Sequence, residues 1–480
     1  MDTTLTKNEK IELRRNREIA RWEKQKARPK GRFYLVYIIF IITLIYAVDE
    51  IASQIGTLMK TEIANDLFNS ESSVGLFDLL GMLVVPFQAL GLLYRPLADK
   101  WGRKLFLVIN TFGMSLALLV IFLSNNIALY MLGACMIQFF IPHDMHVVFI
   151  MESSPAKSRG IMYSCIKFIA NMSVMLVPVL RRMLMETASE WRNVFLIPAI
   201  VGLVSSFVAL LLARETDAFM DSRLRYLRLT DEERAQEKQQ KSTENAQGGL
   251  IKALKFAWQH KQLKWLYITT ALVNIGFIAT INYQTIMTYG YAQNFVSSGM
   301  FSEIGEEALN YVSTNPITTA LFMFPVGCSV SQVILGFIAD TKGRKLAGIV
   351  VAADCLISFI LFVVGSVLAW NPYLVGLFCG IFIGSYYSTN DVIIMMVGES
   401  APTNLRSSIM SAQFIIGAIG YAISYIVSMP LVNVFGNTSY GIVSFCLLVP
   451  GFLLGFIALF KNTKDTKGLD LDKVTGKEFD

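Results

Sequence analysis

The sequence holds little charge, and its few reactive side chains form no recognisable pattern. Charged residues make up 16% of the 480 positions and hydrophobic residues 54%, whereas soluble domains are about one-quarter charged. All six cysteines fall inside apolar runs, without the spacing of a disulfide framework or a zinc site. These absences exclude a small secreted domain held together by disulfides and favour a protein embedded in a membrane.

Signatures of several other classes are missing too. No G-x-x-x-x-G-K-[ST] phosphate loop is present, which argues against an ATP-driven pump. No nucleophile is paired recognisably with a base, so we expect neither an enzyme nor a cofactor. No signal peptide is recognisable, because the first apolar run is long enough to cross a bilayer.

Long apolar runs dominate the chain. A bilayer-spanning helix needs about 20 mostly apolar residues, and twelve such runs occur in two sets of six. We therefore expect an all-α membrane protein with twelve transmembrane helices in two pseudo-symmetric six-helix bundles. The expected bundles are residues 34–212 and 263–460, flanked by tails at 1–33 and 461–480 and joined by a linker with short helices at 213–262.

The basic residues predict the orientation. The tail before Phe33 carries eleven Lys/Arg against five Asp/Glu, a bias that holds this end in the cytoplasm. This explains the tail better than nucleic-acid binding does. An even number of spans returns the C-terminus to the same side, so we expect a multi-pass plasma-membrane protein with both termini cytoplasmic. Arg181, Arg182 and Arg192 are exceptions, expected near the outer mouth.

A charged motif occurs once in each half. RPLADKWGRK at Arg95–Lys104 and GFIADTKGRK at Gly336–Lys345 agree at five positions and lie 241 residues apart. Each follows one apolar run and precedes the next. An internal repeat of this kind is typical of a secondary transporter, whose substrate path lies where the two repeats meet.

A second repeat has nearly the same offset. E-S-x-P-x-x-x-R begins at Glu152 and again at Glu399, 247 residues later. Asp144 and Asp391 share that offset, since each lies eight residues before its glutamate. At 1.5 Å per residue, each aspartate is about 12 Å inside its helix.

These motifs resemble those of the major facilitator superfamily, and the resemblance extends from Tyr34 to about Val474. Glu152–Gly160, Trp191-Arg192 and the Lys464–Leu469 tail are similar to motifs of its sugar-porter and organic-ion branch, which includes metabolite–proton symporters. The resemblance implies twelve helices, alternating access and a central cavity. The span-7 and span-4 positions that sugar porters fill with Gln-Gln and Arg are here Gly276-Phe277 and Leu132, which disfavours a hexose or pentose.

The charged residues of both repeats are expected at the cytoplasmic ends of helices. They either form a gate whose ion pairs close the inner mouth or simply anchor the loops; the resemblance implies the gate. These residues are Asp99, Arg103, Glu152, Arg159, Asp340, Arg344, Glu399 and Arg406.

Acids inside spans are candidates for proton coupling, because a charge at mid-bilayer needs a cavity or a partner. Asp49 and Glu50 lie deep in span 1, and the resemblance places Asp49 at the span-1 aspartate of proton-coupled sugar porters. Asp144 and Asp391 would face each other across the cavity and bind a cation or share a proton. The alternatives are a helix-packing hydrogen bond for Asp49 and a salt bridge from Lys167 to Asp144.

Further polar side chains are candidates for substrate binding. His143 and His146 flank Asp144 on one helix face; proton relay, substrate hydrogen bonding, a metal site and plain interior packing all remain open, with metal binding disfavoured. Neutral groups either orient a ligand or link helices: Asn282, Tyr283, Gln284, Asn390, Gln88 and Gln413. Asp78, near the outer end of span 2, is expected to be solvated.

The sequence thus predicts a monomeric secondary transporter that moves a small polar or charged organic solute with protons across the bilayer. The interior acids outnumber the single expected interior lysine, Lys167, which favours a cationic or zwitterionic solute. A sugar or polyol, an organic anion, uniport and a non-transporting solute sensor are the alternatives.

Overall fold

A computed structural model describes residues 7–29, 33–68, 73–94, 98–140, 146, 149, 152–153, 159–230, 232–234, 236, 250–402 and 405–467, some by their backbone alone. Every regular element within those ranges is helical. We number the membrane-crossing tracts as spans 1 to 12 in chain order.

The N-terminal half holds the first six spans. Several consist of consecutive helices joined by a short irregular link. Span 1 is Tyr34–Leu58 with Lys60–Phe68, span 2 is Ser73–Tyr94, span 3 is Arg103–Phe122, span 4 contains Ile127–Phe140, span 5 is Arg159–Ser173 with Leu176–Leu184, and span 6 is Asn193–Leu212.

The C-terminal half repeats this arrangement. Span 7 is Lys261–Asn274, Phe277–Ile281 and Tyr283–Ser297; span 8 is Thr318–Lys342, preceded by Glu306–Val312 and a π turn; span 9 is Arg344–Val367, span 10 is Pro372–Ser400, span 11 is Arg406–Phe435, and span 12 is Tyr440–Asn462. Besides short turns such as Ala98–Trp101, three longer described helices lie outside the spans, and we label them α1 (Lys7–Ala27), α2 (Asp217–Arg228) and α3 (Leu250–Gln259).

Seven of the described helical tracts are long and apolar enough to cross a bilayer unaided. The other spans are broken or continue into residues outside the described ranges. The breaks free backbone carbonyls from helix bonding. Leu58 ends the first helix of span 1, and its carbonyl accepts from Arg181; Ile281 ends the middle helix of span 7, and its carbonyl accepts from Lys60 at 3.1 Å.

Each half packs as a bundle of its own. Span 3 packs on spans 4 and 6 in the N-terminal half, while span 10 packs on spans 8 and 9 in the C-terminal half. The halves meet where span 2 contacts span 11, span 5 contacts span 8, and Lys60–Phe68 contacts Tyr283–Ser297. The spans that line the interface therefore come in pairs, one from each repeat.

The two charged motifs have the same geometry. Gly102 and Gly343 start spans 3 and 9 with φ of 105° and 112°, which favours glycine. The Glu215 carboxylate accepts from the Arg103 N–H at 2.9 Å, and the Asp465 carboxylate accepts from the Arg344 N–H at 3.0 Å. We call the end of the molecule that carries these motifs the motif face, and the opposite end the distal face.

Candidate functional site

A central cavity of 640 Å³ lies between the halves. Its walls come mainly from spans 1, 2 and 4 on one side and spans 7, 10 and 11 on the other. Aromatic rings and side-chain amides are prominent in its wall: Gln54, Phe77, Tyr130, Gln138, Phe277, Tyr387, Tyr421 and Tyr425. Such a wall hydrogen-bonds a polar solute and also packs against its apolar or cationic parts.

A buried ion pair closes the cavity toward the distal face. Lys60 and Asp78 line the cavity and are 4% and 3% exposed, and their charged groups are in direct contact. The second Asp78 oxygen accepts from Asn282 Nδ2 at 2.9 Å and from the Tyr440 hydroxyl at 2.8 Å. Because Asn282 and Tyr440 belong to the C-terminal half, this pair ties the halves together.

A second buried ion pair lies farther toward the distal face. Arg181 Nη2 is 2.5 Å from Glu62 Oε1, and the two residues are 1% and 3% exposed. Arg181 also donates to the Ser313 carbonyl at 3.1 Å, and Glu62 accepts from Gln284 Nε2 at 2.9 Å. We call Lys60, Asp78, Glu62 and Arg181, with their C-terminal partners, the distal closure.

The distal closure separates two cavities. Glu62 lines a vestibule of 560 Å³ on the distal face, together with Asp66 and Glu306. Lys60, two residues earlier, lines the central cavity. A solute in the central cavity therefore reaches the vestibule only after the inter-half hydrogen bonds break.

Charged side chains on the motif side of the cavity are more accessible. Lys167 of span 5 and Asp391 of span 10 are exposed and interact electrostatically. Lys167 and Glu50 of span 1 both lie close enough to Cys328 of span 8 to interact with it electrostatically. Asp391 therefore faces the other half rather than lipid. We call Glu50, Lys167 and Asp391 the motif-side cluster.

Asp49 and His146 lie close by. Asp49 is 8% exposed, and His146 is 2% exposed with its ring 4.0 Å from that of Tyr46. The proposed partners His143 and Asp144 lie outside the described residues. Lys167, an alternative salt-bridge partner for Asp144, interacts electrostatically with Asp391.

The neutral candidates take up different positions. Asn282 and Gln284 belong to the distal closure. Gln413 donates to the Thr270 hydroxyl at 3.1 Å, and Asn390 donates to the carbonyl four residues earlier in its own helix. Gln88 has no described side chain.

Two expectations about charge are wrong. Asp78 is buried and ion-paired rather than solvated. Lys167 is not the single interior lysine, because Lys60 is buried. Arg181, in the last turn of span 5, is a further buried cation. Lys60 and Glu62 were missed because they follow the apolar run; the polar Lys60–Phe68 segment reads as a loop but continues as a helix.

The motif-face charges pair inside each half. Arg103 Nε lies 3.3 Å from Glu152, and Arg344 Nε lies 3.3 Å from Glu399. Arg406 donates to the Ala401 carbonyl. The side chains of Asp99, Arg159 and Asp340 lie outside the described set.

Sequence reasoning missed a third repeat on this face. Glu215-Thr216 follows span 6 and Asp465-Thr466 follows span 12, and the two threonine hydroxyls donate to Glu152 and Glu399. The signal is a short acid–threonine pair at nearly the same offset as the other repeats. Burial raises the pKa of Glu215 above its ordinary value, although backbone N–H groups of Thr216, Lys104 and Arg103 oppose that rise.

The fold and cavity define a multi-pass membrane transporter. Solved structures share the fold: a D-xylose–proton symporter (15% identical, TM-score 0.59, covering 91% of this chain and 100% of that chain) and the inward-open xylose transporter XylE from E. coli (17%, 0.58, 92% and 99%). A bacterial homologue of the human lysosomal transporter Spinster, inward-facing, is also similar (14%, 0.55, 90% and 95%).

The family model of the Major Facilitator Superfamily matches residues 37–425. The chain belongs to this family, whose members are transporters rather than enzymes. Among curated relatives, it is 29% identical over 160 residues to a facilitated glucose transporter homologue of Caenorhabditis elegans (32% of this chain, 29% of that one) and 24% identical over 200 residues to the low-affinity glucose transporter HXT3 of Saccharomyces cerevisiae (40% and 34%). The matches span about a third of those relatives.

Proposed function

We propose that this chain is a monomeric proton-coupled symporter of the plasma membrane that carries a small polar organic solute by alternating access. The motif face and both termini lie in the cytoplasm. One observation carries the proposal: a cavity between two repeats is closed on one side by two buried ion pairs of the N-terminal half that hydrogen-bond to the C-terminal half, and it meets an accessible charged cluster on the other side. Rocking one half against the other exposes such a cavity to each side in turn.

Proton coupling is assigned to the acids on the motif side of the cavity. Asp49 and Glu50 of span 1, with Asp144, are the coupling candidates, and Asp391 joins them because it meets Lys167 from the other half. Protonating one such acid removes its attraction for Lys167. Protonation is thereby linked to the relative position of the two halves.

The solute is a small polar or zwitterionic molecule. Lys60 and Asp78 together present a paired, net-neutral charge to the cavity, whose other polar groups are amides and hydroxyls. Lys60 and Arg181 are each matched by a buried acid, Asp78 and Glu62, so they leave the excess of interior acids unchanged. A sugar is the second candidate, supported by glucose-transporter relatives and by the fold of a xylose–proton symporter.

Uptake into proteoliposomes tests the proposal. A labelled panel of amino acids, amines, sugars and carboxylates is offered with and without an inward proton gradient. We expect gradient-stimulated uptake of one polar class, with Asp49→Asn, Glu50→Gln or Asp391→Asn abolishing the stimulation. Asp354→Asn is the matched control, because Asp354 is a span-9 acid that pairs with Ser385 away from the cavity.

Each alternative has its own outcome. Uptake that is insensitive to the gradient and to these variants indicates a uniporter and contradicts proton coupling. Binding of a solute without flux indicates a sensor and contradicts transport. If only sugars compete for uptake, the substrate is a sugar, the second candidate.

A further inference from the structure

A strongly basic pocket lies on the motif face, away from the transport path. It has a volume of 760 Å³ and forms where α1 crosses the ends of spans 3 and 6. Six cations line it: Arg17, Arg21, Lys24, Arg28, Lys104 and Arg214. No acid is among its lining residues.

Three cations of α1, together with Arg28 just after its end, form one stripe. Arg17, Arg21 and Lys24 follow one another at intervals of three or four residues, which places them on one side of α1, and Arg28 continues the same spacing. All four are exposed. Within the described part of the chain they form no salt bridge, so their charge is available to a ligand.

Two acids of α1, Glu18 and Glu23, lie on its other side and form ion pairs with α2. Glu18 pairs with Arg223 at 2.9 Å and Glu23 pairs with Arg228 at 2.6 Å. Trp22 packs edge-on against Phe219, with ring centroids 5.6 Å apart. This docking on α2 holds α1 in place and turns its basic stripe toward the pocket.

The pocket is continuous with apolar surface. Leu211 and Leu212, at the end of span 6, line it and are 65% and 51% exposed. Val36, in the first turn of span 1 beside the lining residue Tyr37, is 66% exposed. The pocket thus offers cations next to a surface that meets acyl chains, an arrangement suited to a lipid and not to a freely soluble anion.

We propose that this basic pocket binds the phosphate-bearing headgroup of an anionic phospholipid from the adjoining leaflet. The guanidinium and ammonium groups neutralise the headgroup, and the acyl chains follow the exposed leucines of span 6. Because α1 contributes three of the cations, Arg28 follows directly after it, and α1 rests on the inter-half linker, the bound lipid also fastens the N-terminal helix to the membrane surface.

Binding to the full-length protein in detergent tests the proposal. The probes are dioctanoyl phosphatidylinositol 4-phosphate, dioctanoyl phosphatidylcholine and inorganic phosphate, measured by thermophoresis and by native mass spectrometry. The variant is Arg17→Gln/Arg21→Gln/Lys24→Gln. The matched control is Lys252→Gln/Lys255→Gln/Lys261→Gln, which removes three charges near the C-terminal half without touching the pocket.

We expect wild type to prefer the phosphoinositide to phosphatidylcholine. The pocket variant should lose about fivefold in affinity per charge, or about a hundredfold in total, while the control changes little. Equal binding of both lipids, or equal loss in variant and control, would overturn the proposal. Phosphate that displaces the lipid at matched concentration would overturn the lipid as the source, because it would show that the apolar wall contributes nothing.

Discussion

Lys60 and Asp78 form an ion pair that is almost fully buried, and both residues connect that pair to the opposite half of the molecule. One carboxylate oxygen contacts Lys60, while the other accepts from Asn282 and Tyr440. Opening the distal face would keep the ion pair but break three hydrogen bonds to the C-terminal half: those of Asp78 with Asn282 and Tyr440, and that of Lys60 with the Ile281 carbonyl. The hydrogen bonds of this pair, which lines the central cavity, therefore depend on whether the distal face is closed.

Breaking this pair on one side should destabilise the protein more than removing it entirely. Lys60→Met or Asp78→Asn leaves one buried charge uncompensated and should lower the free energy of unfolding by about 3 kcal/mol, whereas the double variant recovers most of that loss. Thermal and denaturant unfolding in detergent measure it. Exposed Lys461→Met is the control, expected within about 0.5 kcal/mol of wild type. A double variant as unstable as the sum of the singles would contradict the pairing.

Arg181 should hold the distal face closed. Arg181→Gln leaves Glu62 buried without its cation, so the closed state loses stability relative to one in which Glu62 meets water. A reporter at Ala422→Cys, which lines the central cavity, should then react on the order of tenfold faster with an impermeant thiol reagent added at the distal face. The neighbouring Arg182 is exposed, so Arg182→Gln is the matched control. An unchanged rate in Arg181→Gln would mean that the ion pair does not close the path.

The motif glycines should resist substitution. A Cβ at Gly102 would collide with the Glu215 carboxylate, and one at Gly343 with the Asp465 carboxylate, and both have positive φ. Gly102→Ala and Gly343→Ala should each cost on the order of 1–3 kcal/mol of unfolding free energy. Gly56→Ala, with open space around the added Cβ, should be neutral or slightly stabilising. Three equal effects would contradict the proposed geometry.

Glu215 should make stability depend on pH. Burial raises its pKa, so the folded protein holds the Glu215 proton to a higher pH than the unfolded chain does. The favourable contribution of the protonated form is complete below about pH 4 and is lost as pH rises through the raised pKa. Glu215→Gln keeps an acceptor for the N–H groups of span 3 but cannot ionise. Relative to this variant, wild type should lose melting temperature as pH rises from about 4 to neutrality; parallel pH profiles would contradict the shift.

The sequence predicted the parts of this molecule that depend on local pattern. Apolar run length defined the spans, and the repeated motifs identified the charged residues of one face; the structure pairs Arg103 with Glu152 and Arg344 with Glu399, which the motifs alone did not specify. The helix Lys60–Phe68 was not predicted, because its polar sequence is typical of a loop. A buried polar helix needs partners from distant spans, and no local pattern shows them. The expectation that Asp78 is solvated was wrong for the same reason. Its burial depends on Lys60, Asn282 and Tyr440, which only the assembled halves bring together.

The residues of the cavity wall could not be predicted from the sequence either. Gln54, Gln138 and the span-11 tyrosines lie among apolar residues, and sequence alone does not tell which side of a long span faces the other half. Asn282 and Gln284 were recognised as polar groups inside a span, but their partners Asp78 and Glu62 lie more than 200 residues away. Composition identifies such groups, and only the assembled fold shows their partners.

The most direct test of the account measures two distances at once. In a cysteine-free background, spin labels at Ser189 and Thr438 report the distal face, and labels at Trp101 and Thr341 report the motif face. In wild type we predict a short distal distance; in Arg181→Gln we predict a second population in which the distal distance lengthens while the motif-face distance shortens. Distances that stay unchanged, or that lengthen together on both faces, would contradict two halves rocking about a central cavity.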